Sequence, residues 1–384
     1  MIKAVIGANY GDEGKGLMTD YFALKTKKGI VIRYNGGAQA SHTVVTPEGF
    51  RHAFSHLGSG TFANVPTYLS KHFVTSPMLF RKEVEKLSRK MALPDTWVDE
   101  RCLVTTPFDI LINQIVEDFR GKGRHGSCGM GINETITRHE KHPLYVSTLC
   151  DSNLTRQILE SIRNNYVWDR LMELGVTCLS VDQIALLVNE NIIDAFLDDV
   201  QYFLQKVKSV NLYYMYPLTE YFDDIIFEGA QGLLLDQDHA NFPHVTRSST
   251  GLKNVMEIMA EGKIAEPVEV TYVTRCYTTR HGVGPFPYEC VKEEISDRII
   301  DLTNVPNPYQ GTMRFGRLNL YYFYENIKDD FSKFSRKGDT VSVAVTCLDQ
   351  ILHPDSTVDG FNGYNFAEKL YLSYGMTRNT IKEC

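Results

Sequence analysis

The chain has 384 residues, 43% of them apolar and 23% charged, which suits a large buried core and argues against disorder. Its 40 basic and 47 acidic residues leave a net charge of −7, against a dedicated nucleic-acid binder but compatible with a local phosphate-binding loop. No run of about 18 apolar residues occurs, so no membrane span is expected, and the short apolar start before Asp12 and Glu13 is too brief for a secretion signal.

In chain order, residues 4–6 read as a buried strand that runs into a glycine-rich loop. Residues 29–32 read as a second strand, ending in a loop of small residues. Helical patterns follow at 108–119, 154–172 and 192–207. Two further apolar strands are expected at 224–227 and 341–345. Strands alternating with helices predict an α/β fold, a single large domain over residues 1–384 around a mostly parallel central sheet. No repeat or linker interrupts it. The eight cysteines are never two to four residues apart, so reduced thiols in a cytoplasmic protein are expected, not a zinc site. In parallel sheets ligands gather where strands end, so the loops after them are where chemistry is expected.

The first of these loops is Gly7-Ala8-Asn9-Tyr10-Gly11-Asp12-Glu13-Gly14-Lys15-Gly16. Glycines allow backbone N–H groups to approach phosphate oxygens, and a lysine neutralises them. The spacing is longer than in the common phosphate loop, and Gly16 stands where a hydroxyl residue would hold magnesium. An acid within such a loop makes sense as a metal ligand or a base. The second loop, Arg33-Tyr34-Asn35-Gly36-Gly37-Ala38-Gln39-Ala40-Ser41-His42-Thr43, carries a histidine. If the first two strands are neighbours, His42 and Asp12 face one crevice.

Together these loops resemble the signature of the adenylosuccinate synthetase family. The resemblance continues through Phe227-Glu228-Gly229-Ala230-Gln231-Gly232, Leu235-Asp236, Phe242-Pro243 and Val245-Thr246. It runs on through Tyr277-Thr278-Thr279-Arg280, Gly284-Pro285-Phe286-Pro287 and Thr346-Cys347-Leu348-Asp349 to Thr377-Arg378-Asn379-Thr380-Ile381. It implies a carbon–nitrogen ligase that phosphorylates the 6-oxo group of a purine nucleotide and then displaces phosphate with the amine of aspartate. Asp12 would take the N1 proton, and His42 would stabilise charge between O6 and the γ-phosphate. Gly14, Lys15, Gly16, Thr43 and Asp349 would hold the nucleoside triphosphate. Gln39, Ser127, Gln231 and Thr246 would hold the purine nucleotide, and Thr312 and Arg314 the aspartate, a guanidinium suiting its carboxylate. Mg2+ would be held by Asp12 and the backbone carbonyl of Ser41. A homodimer is implied, in which Arg138 or Lys141 reaches the nucleotide phosphate of the other subunit.

Departures from the family pattern bear on the substrate. The third loop reads Ser127-Cys128-Gly129-Met130-Gly131-Ile132-Asn133-Glu134, with Met130 in place of an arginine and Asn133-Glu134 in place of Gly-Pro. Tyr309-Gln310-Gly311-Thr312-Met313-Arg314 has fewer arginines than is usual, and Cys347 replaces a lysine. Ordinary divergence in an IMP-using enzyme accounts for these changes, and so does a changed nucleotide. The second account resembles the phage-associated branch that joins aspartate to dGMP on the way to 2-aminoadenine. It implies ATP or dATP in preference to GTP, Asn133 or Glu134 or a backbone carbonyl nearby as acceptor for the guanine 2-amino group, and the host cytoplasm as location.

Overall fold

The computed structural model describes residues 1–121, 127–211, 218–239, 241–242, 244–301, 304 and 311–384. The four strands expected from the sequence form as Ile2–Gly7, Gly29–Arg33, Asp224–Glu228 and Thr340–Thr346. They join six others in one sheet, in the order Ile381–Glu383, Lys369–Ser373, Thr340–Thr346, Glu269–Arg275, Ile2–Gly7, Asp224–Glu228, Gly29–Arg33, Thr67–Leu69, Thr96–Asp99 and Val207–Val210. Every pairing is parallel except the last at one edge, where Ile381–Glu383 runs antiparallel to Lys369–Ser373. The α/β expectation is met. One detail is corrected: the first two strands are not neighbours, because Asp224–Glu228 lies between them and pairs with both.

The central strands are buried on both faces, and most of their residues are apolar. Ala4, Ile6, Ile32, Phe227, Tyr272 and Val343 project to one face, where they pack on helices Lys253–Glu261 and Leu320–Phe334. Val5, Val31, Ile226, Val273 and Ala344 project to the other, against Met18, Phe22 and Ala23 of helix Lys15–Leu24. This is the two-residue period of a strand resolved into two layers. A third cluster joins Phe80 and Val84 of helix Pro77–Ser88, Phe108 and Ile112 of helix Pro107–Arg120, and Phe196 and Phe203 of helix Asn191–Lys206. Helix Pro107–Arg120 starts on a reciprocal cap between Thr106 and Asp109. The helix expected at 154–172 forms as Ser152–Ser161 and Val167–Glu173, joined by one wide turn at Ile162–Tyr166. Among the described residues, no helix is long and apolar enough to cross a membrane.

Candidate active site

Because the central strands are parallel, the loops that leave them open at one end of the sheet. There they enclose a cleft of about 540 Å3, with Asp12, Glu13 and Lys15 after the first strand, Gln39, Ser41, His42 and Thr43 after the second, and Gln231 after the strand between them. Across the cleft stand Arg275, His281, Cys347 and Asp349. Both residues expected to carry the chemistry, Asp12 and His42, therefore share one space.

The first loop is built to turn and then to start a helix. Gly14 adopts φ 97° at the head of Lys15–Leu24, a left-handed conformation that glycine takes without strain. No side chain caps that helix start, so its free N–H groups face the cleft as an anion site beside Lys15. Gly16 is required by proximity: a side chain there would meet His42 Cβ at 2.9 Å and Ser59 Oγ at 3.1 Å. The absent hydroxyl is thus explained by the packing of the His42 hairpin against the helix. Glu13 is buried, accepts a hydrogen bond from Asn9 N at 2.5 Å and lies 3.8 Å from Lys15 Nζ. Burial pushes its carboxyl up to about 7, with Lys15 and the Asn9 amide pulling the other way.

Asp12 is held in an unusual backbone conformation, with φ 57°. Its carbonyl accepts from Arg275 Nε at 2.5 Å, and its carboxylate, partly exposed to the cleft, lies 3.4 Å from His281 Nε2. Arg275 closes the end of its own strand and is braced by Tyr277 Oη at 3.2 Å and Asp301 Oδ2 at 3.4 Å. His42 is buried, and its Nδ1 sits 2.6 Å from Glu228 Oε1. Burial pushes the Glu228 carboxyl up, but His42, Arg33 and Ser59 together hold it at about 2, so it is an ionised acceptor. Glu13, Glu228, Arg275 and His281 were not singled out in the sequence. The signal for Glu228 was present, since it ends an apolar strand inside the motif that yielded Gln231.

Asp12 and Ser41 both line the cleft. Hard oxygen donors of this kind fit magnesium, which keeps several waters and binds through one or two carboxylates plus substrate phosphates. Among the described residues no group of three or more His, Cys, Asp or Glu could form a dedicated metal cage. A metal in this cleft would complete its shell with phosphate oxygens and water.

The other expected residues stand outside this wall. Ser127 hydrogen-bonds Asn113 Nδ2 at 3.0 Å, just before helix Ile132–His139. Thr246 is half-buried, its N–H tied to Leu235 O at 2.8 Å. Arg314 is paired to Glu289, with Nε to Oε1 at 2.8 Å, and donates to Gly284 O at 3.0 Å, while Thr312 is exposed. Tyr309, Gln310 and Pro243 lie outside the described residues.

Two expectations are corrected. Glu134 is buried and ion-paired with Arg170 at 2.8 Å, so it is not an open acceptor for a base amino group. Arg138 is fully buried, bonded to Asp109 Oδ1 at 2.8 Å, Val104 O at 2.7 Å and His142 O at 2.6 Å. It faces inward and does not reach toward another subunit, whereas Lys141 is exposed. Arg138→Ala would leave Asp109 as an uncompensated buried charge, with an expected loss of about 3–5 kcal/mol in denaturant unfolding. Lys141→Ala is expected to change stability by less than about 0.5 kcal/mol. Equal effects of the two substitutions would contradict this picture of helix Ile132–His139.

Residues 4–310 match the sequence profile of the adenylosuccinate synthetase family. The chain belongs to that family. An adenylosuccinate synthetase of Nostoc sp. is 32% identical over 299 residues, covering 74% of this chain and 62% of the relative. One of Prochlorococcus marinus subsp. pastoris is 30% identical over 311 residues, covering 77% of this chain and 66% of the relative. The matched stretch therefore spans about two-thirds or less of these relatives' length. Among solved structures, the fully ligated family member of Plasmodium falciparum superposes with a TM-score of 0.72 at 16% identity, covering 99% of each chain. The succinoaminodeoxyadenylate synthetase of cyanophage S-2L, bound to dGMP and dATP as an energy donor, superposes with a TM-score of 0.67 at 16% identity, covering 100% of this chain and 95% of that one. At that identity these likenesses speak for the fold.

Proposed function

We propose that the protein is a ligase that joins L-aspartate to C6 of a 6-oxopurine nucleotide at the expense of a nucleoside triphosphate. The observation that carries this reading is the convergence of Asp12, Lys15, His42 and Gln231, from three loops, on one cleft in a chain of this family. The Asp12 carboxylate takes the proton from purine N1, which raises electron density at O6. O6 attacks the γ-phosphorus, and the nucleoside diphosphate leaves. The aspartate amine then adds at C6, phosphate departs, and the extra amine proton passes to solvent. Lys15 and the N–H groups of the first helical turn hold the triphosphate, and His42 hydrogen-bonds the oxygen between C6 and the γ-phosphorus, where charge accumulates. Magnesium supplies neutralisation of phosphate charge when bound with Asp12 and Ser41. Gln39, Ser127, Gln231 and Thr246 hold the purine nucleotide, Thr43 and Asp349 the far parts of the triphosphate, and Thr312 and Arg314 the aspartate. Arg314 must then exchange Glu289 for the ligand. In a homodimer, Lys141 would be the residue that reaches the partner's nucleotide. The whole chain acts as one domain.

For the nucleotide we propose dGMP, with ATP or dATP as donor. Met130, the sparse arginines around Thr312 and the missing lysine at Cys347 support this reading. With Glu134 engaged by Arg170, the acceptor for the 2-amino group falls to Asn133 or a nearby backbone carbonyl. The curated relatives, adenylosuccinate synthetases at 29–32% identity, favour a second reading with IMP and GTP. Turnover of dGMP, GMP and IMP, each with ATP and with GTP, separates the two. We expect dGMP to exceed IMP by roughly 5- to 150-fold in kcat/KM, the value of one buried acceptor that the 2-amino group pairs and IMP leaves unpaired, about 1–3 kcal/mol. Dominant succinylation of IMP would establish the second reading.

A further inference from the structure

We infer that Glu228 is the positioning residue for His42, fixing which nitrogen of the imidazole carries the proton and which edge of the ring meets the cleft. The inference takes its activity readout from the reaction proposed above. Its structural content stands on four side chains.

Glu228 is the last residue of the strand inserted between the two that carry the Asp12 and His42 loops. It has no exposed surface, and residues 225–227 before it are apolar and buried. Nothing about filling that core calls for a charge, and burying one is costly unless its partners are close and well placed. They are. Oε1 lies 2.6 Å from His42 Nδ1 and also accepts from Ser59 Oγ. Oε2 accepts from Ser59 N at 3.0 Å and faces Arg33 Nε at 4.0 Å.

Ser59 N–H and the arginine can only donate, and an ionised carboxylate can only accept. Nδ1 is therefore the protonated nitrogen of the neutral ring. Nε2, at the other edge, is the atom left to His42 for its work in the cleft. The base of the side chain is closely packed as well, since a side chain at Gly16 would not fit beside His42 Cβ. This is the arrangement by which an outer carboxylate fixes an inner histidine's tautomer and orientation.

Glu228→Gln tests it because the change is isosteric yet chemically incomplete. A carboxamide offers one acceptor oxygen and one donor nitrogen, whereas here both oxygens receive donors. The Ser59 N–H facing Oε2 can only donate, so the NH2 group is expected on the Oε1 side, against His42 and Ser59 Oγ, which can accept. There Nδ1 has to become an acceptor and the proton moves to Nε2. The direct readout uses 15N-labelled histidine in the free, full-length protein. Eleven histidines are present, and the His42 signals are those lost in His42→Asn. The wild type is expected to show a protonated Nδ1, and Glu228→Gln a mixture or the other tautomer.

In turnover, kcat of Glu228→Gln should fall about 10- to 100-fold. KM for each substrate should move by less than about threefold, since binding groups are untouched. In the double variant Glu228→Gln/His42→Asn, the loss should be no greater than in His42→Asn alone. Should Glu228→Gln not fold, Glu228→Asp retains the charge and both acceptors but withdraws them by one methylene, and the same pattern is expected. An unchanged His42 tautomer, or a Glu228 effect that persists in full without His42, would overturn the inference. A changed tautomer in a protein whose wild type converts no purine nucleotide would uphold the positioning role and defeat the proposed reaction, so the two failures are distinct.

Discussion

Asp12→Ala is expected to lower kcat by about 10²–10⁴ while leaving the melting temperature near that of the wild type. Removal of a positioned general base typically costs this much. The fold is expected to tolerate it because the side chain is partly exposed and packs on no apolar cluster. What holds the loop is backbone: the Asp12 carbonyl on Arg275 Nε and the Glu13 carbonyl on Thr346 Oγ1 at 2.8 Å. Alanine keeps both bonds, although its left-handed φ at this position adds some strain. Asp12→Asn should be as inactive, since it preserves shape but cannot accept the N1 proton. Single-turnover formation of nucleoside diphosphate checks the first half-reaction directly. Near-normal turnover in either variant would remove Asp12 from the chemistry.

Lys15→Met should reduce kcat/KM for the triphosphate by about 10²–10³, the scale for losing one preorganised charge contact to a reacting phosphoryl group. The lysine is buried, so its loss also strips Glu13 of its nearest cation. Two effects are then mixed, one catalytic and one structural. Adding Glu13→Gln to Lys15→Met removes the stranded carboxyl and is expected to restore stability without restoring turnover. Recovery of turnover in the double variant would mean that Lys15 serves Glu13 and not the phosphates.

The core strands were legible because they are buried on both sides, which favours largely apolar runs such as residues 225–227 and 341–345. The two cleft loops were legible for a different reason: closely spaced glycines with Lys15, and a histidine among small residues, are compositions that ordinary turns do not need. Strand order was not legible. It depends on contacts far apart in the chain, and no local pattern says that residues 224–228 will part residues 2–7 from 29–33. Arg138 was misread for a related reason. On helix Ile132–His139 the buried positions include Glu134 and Arg138, one turn apart, so an inward face was disguised by charge. Glu228 shows the converse limit. Its motif was visible, but that its carboxylate turns to His42 follows only once the strands are placed side by side.

The insertion of Asp224–Glu228 between the two N-terminal strands also governs when the protein can assemble. During synthesis, Ile2–Gly7 and Gly29–Arg33 emerge early but have no backbone partner in each other. Gly29–Arg33 can pair early with Thr67–Leu69 on one side, but its other edge and both edges of Ile2–Gly7 stay open at least until residue 228 has left the ribosome. Closing such distant pairings is slow, and waiting strands are prone to pair with the wrong neighbour. A chain stopped before residue 224 is therefore expected to yield no half-built cleft, but an aggregation-prone fragment in which the Asp12 and His42 loops have never met.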